Sequence, residues 1–306
     1  MTKTALILGA SGKFGAHCST AFKADGWTVR HYDRKTDDMT KAAMGADVIV
    51  NGLNPPNYHN WAENLPRITT QVIAAAKASG ATVIIPGNVY VFGNAPGSWD
   101  ENTPHRPNTR KGQLRKELEE TYRKAALDGV QTITLRAGDV IDPEAADTMM
   151  GIVMFSKLNK GKISVMGRTD IPHAWCYVPD FARAAVALAN KRGELAIYED
   201  IPFPGQTFSA DDIKATIEGL MGRDLRTTHF QWWLLKLASP IWELARELLE
   251  MRYLWDVPHE LAGEKFFRLL PDFALTTNRV ALANALPKDV NPDKTVVRSG
   301  AAIKAH

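Results

Sequence analysis

Short apolar runs alternate with longer stretches of helical spacing along the first half of the chain. Thr4–Leu8, Thr28–Tyr32, Asp47–Asn51, Thr82–Ile85 and Thr132–Arg136 read as strands. Their apolar and β-branched residues are continuous rather than alternating, which marks strands covered on both faces. Between them, Phe14–Ala24, Trp61–Ser79 and Gly112–Leu127 carry helical periodicity, with a small helical turn around Thr40–Met44. In Trp61–Ser79 the residues Leu65, Ile68, Val72, Ile73 and Ala76 fall on one stripe, and Gly80 supplies a C-terminal stop. This alternation predicts an α/β fold, a parallel, doubly wound sheet with right-handed crossovers.

After about residue 160 the pattern changes. Strands become fewer, and Trp, Pro and Met more frequent. Asp180–Lys191 and Ala210–Met221 read as helices. Gln231–Met251 is helical but contains Pro240, so it is two helices or one kinked helix. The expected organisation is a nucleotide-binding region over 1–160 and a smaller, mostly helical substrate region over 161–306, interleaved with the first. The polar tail from Pro287 reads as mobile.

Composition changes this picture little. The chain has 306 residues, 45% apolar and 23% charged, which excludes a wholly disordered protein. A net charge of +3 gives no case for nucleic acid or an anionic membrane as partner. Cys18 and Cys176 are the two cysteines, so no disulfide framework is implied and a reducing, cytoplasmic setting is expected. The apolar run at Ala5–Leu8 is too short for a signal segment, and no window reaches the apolar length of a membrane span. The eight histidines are scattered without close ligand pairs, so no metal site is expected. The aromatic stretch around Phe230, Trp232 and Trp233, with Trp242 and Trp255, reads as substrate-domain core or lid in preference to a membrane-surface helix.

The most informative segment is Gly9-Ala10-Ser11-Gly12-Lys13-Phe14-Gly15. It follows the first strand and opens the first helix, the context in which such glycines cradle a pyrophosphate at a helix N-terminus. Gly9 permits the turn, Gly12 the approach of the phosphates, and Gly15 the close packing of helix on sheet. Asp33 ends the second strand, where an acid hydrogen-bonds an adenosine ribose; Arg34 beside it suits a 2′-phosphate instead. The cofactor expectation is therefore NAD(P), leaning to NAD, on a Rossmann-type fold.

The Gly-x-x-Gly-x-x-Gly spacing resembles that of the extended short-chain dehydrogenase/reductase family, which includes nucleotide-sugar epimerases and dehydratases. Asp47–Gly52 resembles the family's third strand and the loop passing the cofactor, which adds Asn51, Gly52 and Leu53 to the cofactor candidates. Val91-Phe92-Gly93, the Asp100–Pro107 loop, Arg136–Val140 and Trp175–Ala182 resemble further family segments. The resemblance covers roughly residues 3 to 190. It implies a small-molecule substrate and allows a homodimer through Trp61–Ser79 and Gly112–Leu127.

The catalytic positions depart from the family pattern. The family's Ser and Tyr-x-x-x-Lys fall on Asn88, Lys111 and Arg115, and no Tyr-x-x-x-Lys occurs anywhere in the chain. Asn88 retains hydrogen-bonding capacity, Lys111 is an acid if burial lowers its pKa, and Arg115 can hold ribose hydroxyls. The bland alternative makes Lys111, Arg115 and Lys116 the basic face of a solvated helix. Tyr90 is a second phenol candidate, two residues beyond Asn88 and on the same side if the strand continues. Tyr58 and His59, after the third strand, are substrate-binding candidates, as are Asp139, His173 and Trp175. Two functions remain open: an NAD(P)-dependent oxidoreductase or epimerase-like enzyme acting on a small polar substrate, and a dinucleotide-binding sensor or scaffold without catalysis.

Overall fold

A computed structural model of the chain describes residues 2–290. Much of the polar tail, residues 291–306, lies outside the described residues. The first half comprises β1 (Thr4–Leu8), α1 (Lys13–Ala24), β2 (Thr28–Tyr32), α2 (Met39–Ala43), β3 (Val48–Asn51), α3 (Trp61–Ser79), β4 (Thr82–Asn88), β5 (Gly97–Trp99), α4 (Arg110–Ala126), β6 (Thr132–Ala137) and β7 (Asp139–Ile141). The second half comprises β8 (Lys162–Val165), β9 (His173–Tyr177), α5 (Val178–Asn190), β10 (Tyr198–Pro202), β11 (Gln206–Phe208), α6 (Ala210–Met221), β12 (Arg226–His229), α7 (Trp232–Ala238), α8 (Glu243–Met251), β13 (His259–Leu261), α9 (Glu264–Leu269) and α10 (Asn278–Asn284).

The central sheet has the order β10-β6-β4-β3-β1-β2, and every neighbouring pair is parallel. Successive side chains of β1 divide between two cores, which is why its apolar run is unbroken. Ala5 and Ile7 pack under α1 and α5, with Phe22, Phe181 and Leu188. Leu6 and Leu8 pack on the other face, with Val72 and Ala76 of α3 and Tyr122 of α4. The chain order reverses at β1, so the crevice outside the carboxyl ends of β1 and β3 is the switch point of the sheet.

Beyond residue 160 six short strands occur among the described residues, against seven before it, and β10 completes the central sheet. Three- to five-residue strands in small sheets leave no run long enough to register as a period. The stretch 231–251 divides into α7 and α8 around Pro240, whose ring cannot continue a helix. A further core joins Ile141, Phe155, Trp175, Phe208, Ile217 and Trp232 beneath this region. No described helix is long and apolar enough to cross a membrane.

Candidate functional site

A cleft of about 530 Å³ runs over the carboxyl ends of β1, β3, β4 and β6. At its β1 end lies the glycine cradle. Gly9 has φ +74°, and a Cβ there would press on the Gly52 carbonyl at 2.9 Å. A Cβ on Gly15 would meet the Gly9 carbonyl oxygen at 2.1 Å, so the helix starts this close to the turn only with glycine. No side chain caps α1 and its first turn holds no acid, so its N-terminal N–H groups and dipole face the cleft uncompensated. This cradle fits a dinucleotide pyrophosphate. Gly12, Lys13, Phe14, Asn51, Gly52 and Leu53 line it. Ser11 is exposed beside it, and the Lys13 ammonium pairs with Asp147 at 2.8 Å. Asp33 and Arg34 stand exposed just past β2, where Asp33 accepts the Lys35 N–H at 2.9 Å.

Three strand spacings separate β1 from β6, about 14 Å. At this far end the cleft is lined by Asn88, Tyr90, Arg115, Asp139 and Tyr58. The strand stops at Asn88, whose amide oxygen accepts the Tyr90 N–H at 3.1 Å and caps a 3-10 turn over Val89–Phe92. Tyr90 therefore reaches the cleft from a turn and not, as expected, from a continuing strand.

Tyr58 lies in a tight turn in which Asn57, Tyr58 and Asn60 have φ of 55°, 60° and 47°. Asparagine tolerates the left-handed region; an aromatic residue there carries strain of about 1–3 kcal/mol, a condition that clusters at functional sites. The surroundings enforce it. The Tyr58 ring packs 4.8 Å from that of Trp61, with the Lys111 ammonium 4.2 Å above it. Burial raises the pKa of both phenols, Tyr90 well above its ordinary value. The Arg115 guanidinium opposes that rise in each. Arg115 also donates to Asn54 at 3.0 Å and lies 4.8 Å over Trp61, and its Nε is buried without a partner. It is thus a wall of the cleft and not part of a solvated helix face.

Lys111 is not on a solvated helix face, and although burial lowers its pKa, as the acid reading required, it stands away from the cleft. It is 2% exposed, does not line the cleft, and pairs with Glu247 at 2.8 Å while bonding the Glu247 carbonyl. Burial lowers its pKa against the opposing pull of Glu247 and Glu250. It acts as a strut between α4 and α8.

The substrate candidates divide. Tyr58 and Asp139 line the cleft. His59 does not: it is exposed and bonds Glu243 at 3.0 Å. His173 and Trp175 are buried and line a small pocket of about 20 Å³ apart from the cleft. His173 stacks on Trp255 and supports the cleft from behind, its Nε2 lying 2.6 Å from Asp139 Oδ2. Both belong to β9, a five-residue strand buried throughout, and so face core.

Sequence reasoning places Arg136 at a strand end near the crevice but misses its partners in the cluster beneath the floor, Glu119 and Asp200. Arg136, fully buried, binds Glu119 at 2.8 Å and Asp200 at 2.5 Å, and donates to the Asn88 carbonyl at 2.6 Å. Ligand atoms of His105, Glu119 and Asp200 converge within 4.8 Å of one another. The guanidinium already compensates the two carboxylates, and burial holds His105 near pKa 4, uncharged at neutral pH. Met149, Ile152, Leu244 and Leu248 on the cleft wall were also missed; no local pattern distinguishes them from core positions.

Comparison with known proteins agrees with this geometry. The NAD dependent epimerase/dehydratase family model matches residues 5–201, more than half of the chain. No curated protein matches the sequence. MoeE5, solved with UDP-glucose and NAD, is 17% identical, with 92% of this chain and 97% of that chain covered at a TM-score of 0.73. The UDP-glucuronic acid 4-epimerase from Bacillus cereus, solved with NAD, is 16% identical over 92% and 94%, at 0.72. The UDP-glucose 4-epimerase from Brucella ovis, solved with NAD, is 14% identical over 95% and 99%, at 0.71. At these identities the likeness to the solved structures is one of fold. The family match carries the assignment: the chain belongs to the NAD dependent epimerase/dehydratase family.

Proposed function

We propose that this member of the NAD dependent epimerase/dehydratase family is an NAD-dependent oxidoreductase or epimerase-like enzyme whose proton donor is the Tyr58–Tyr90 pair. The N-terminal 160 residues would hold NAD and the remainder would close the substrate end. The Gly9–Gly15 cradle supports a bound pyrophosphate, and Asp33 beyond β2 supports NAD through its ribose. Bound there, NAD supplies hydride exchange at its nicotinamide. The observation that carries the reading is Tyr58, held in a left-handed backbone beside Tyr90 and Arg115 at the far end of the cleft.

Both phenols carry their protons at neutral pH, and burial, by raising their pKa, makes them weaker acids, an effect the nearby Arg115 guanidinium opposes. Arg115, at the position where the family has lysine, biases the phenols toward release and can hold ribose hydroxyls. Asn88 presents an amide to the substrate, and Asp139, bonded to His173, offers an acceptor on the β6 side. Lys111 favours the second reading, a dinucleotide sensor without catalysis, because its ammonium is committed to Glu247.

Turnover separates the two. Nicotinamide absorbance is followed with NADH and a panel of ketones and aldehydes, and, because epimerisation returns the NAD it uses, UDP-sugars are incubated with NAD and their epimers resolved by chromatography. Tyr58→Phe is expected to lower kcat by about 10²–10⁴ with NADH affinity unchanged. Full activity in the Tyr58→Phe, Tyr90→Phe double variant would sink the phenol assignment. Tight NADH binding with no turnover across the panel would leave the sensor reading standing.

A further inference from the structure

The charge inventory of the cleft narrows what can bind at its far end. Among the described residues, its charged lining is Lys13, Arg115, Asp139 and Asp147. Lys13 belongs to the cradle and is paired with Asp147. Arg115 and Asp139 are what remains beyond it, one charge of each sign. Cations just outside are neutralised by α8, which packs against the Pro56–Tyr58 turn: Glu247 binds Lys111 at 2.8 Å and Arg110 at 2.5 Å.

The wall at this end is apolar. Leu244 and Leu248 are one helical turn apart, so α8 turns a single aliphatic face to the cleft. Met149 and Ile152 approach from the π-helical segment Met150–Met154 and the residue that opens it, and Ile152 is 56% exposed. A second nucleoside diphosphate, beside the cofactor's own, would bring two negative charges to one guanidinium and one carboxylate. Desolvating them without partners is strongly unfavourable. An aliphatic or aromatic ligand would instead cover surface now left in water.

We infer that the cleft takes an uncharged, mainly apolar substrate with one carbonyl or hydroxyl group, and does not take a nucleoside-diphosphate sugar. The polar part of the substrate is confined to the oxygen that meets Tyr58, Tyr90 and Asn88. The inference rests on the NAD-dependent reading above.

Calorimetry on the NAD-saturated full chain tests it, with 4-phenyl-2-butanone, glucose and UDP-glucose as probes. The ketone is expected to bind at least about tenfold more tightly than either of the others. Ile152→Asp, at an exposed position, is expected to weaken the ketone by about tenfold at an unchanged melting temperature. UDP-glucose binding as tightly as the ketone would overturn the inference. So would a ketone affinity indifferent to Ile152→Asp, or a ketone that does not bind. A prior titration with NAD alone keeps the two readings apart. Failure there removes the cofactor reading, whereas NAD binding followed by preferred UDP-glucose removes only this inference.

Discussion

Replacing Arg136 by Met removes the charge at the centre of the floor while keeping much of the side chain's volume. Arg136 is fully buried and makes two bonds to Glu119, at 2.8 and 3.1 Å, and two to Asp200, at 2.5 and 3.2 Å. A fifth, at 2.6 Å, holds the Asn88 carbonyl. Without the guanidinium two buried carboxylates face each other. Removing one partner of a buried pair costs about 3–5 kcal/mol. One carboxyl can escape the repulsion by taking a proton, so the single-pair figure is the appropriate scale. For a chain of this size each kcal/mol moves Tm by about 2 °C, so the expected drop is about 6–10 °C.

The pH dependence carries its own sign. Burial already holds Glu119 above the ordinary carboxylate range, and loss of Arg136 pushes it further. A carboxyl whose folded-state pKa exceeds its unfolded value stabilises the fold below the unfolded pKa and loses that contribution as pH rises. The deficit of Arg136→Met is therefore smaller at pH 5 than at pH 8, read by scanning calorimetry at both. Asp200→Asn in the Arg136→Met background should recover part of the loss at pH 8. A drop under about 3 °C, or a deficit equal at the two pH values, would refute the claim that this cluster is held by compensated burial.

Two further outcomes are expected. Gly15→Val drives a side chain into the Gly9 carbonyl; displacing that turn costs about 1–3 kcal/mol and weakens NAD binding by about 10–100-fold, and an unchanged Kd by calorimetry would mean the cradle lies elsewhere. The buried His17–Asp142 pair, at 2.9 Å, ties α1 to the segment after β7. Asp142 raises the His17 pKa above 6.5, so the charged pair stabilises the fold below that value and fades as pH climbs through the raised one. Asp142 itself is lowered from 3.8, so its share is present above that value and is lost in stronger acid. The Tm gap between wild type and Asp142→Asn should accordingly be wider at pH 6 than at pH 9, and a gap constant over that interval would exclude the ion pair.

The central strands and the cradle were legible because the physics that forms them is local. Ala5–Leu8 is an unbroken apolar run because helices cover both its faces. The end of α3 was readable because Gly80 adopts φ +73° there, and α4 begins at Arg110, two residues before Gly112, because the Thr109 hydroxyl caps the Gly112 N–H at 3.1 Å. Strand β10 was illegible for the opposite reason. Its Tyr-Glu-Asp-Ile-Pro sequence looks like a polar loop until Lys265 pairs with Glu199 and Arg136 with Asp200. Lys111 shows the same limit inside the site. Motif counting located it, but its role is decided by Glu247, more than a hundred residues away on a short helix. Motif counting also located Tyr58 as one loop residue among several. What distinguishes it, a left-handed backbone clamped between Trp61 and Lys111, depends on those same distant carboxylates. In this chain the cofactor end is specified by neighbours in sequence and the reacting end by neighbours in space. Substitutions on α8 should for that reason alter the substrate end while leaving the cradle intact.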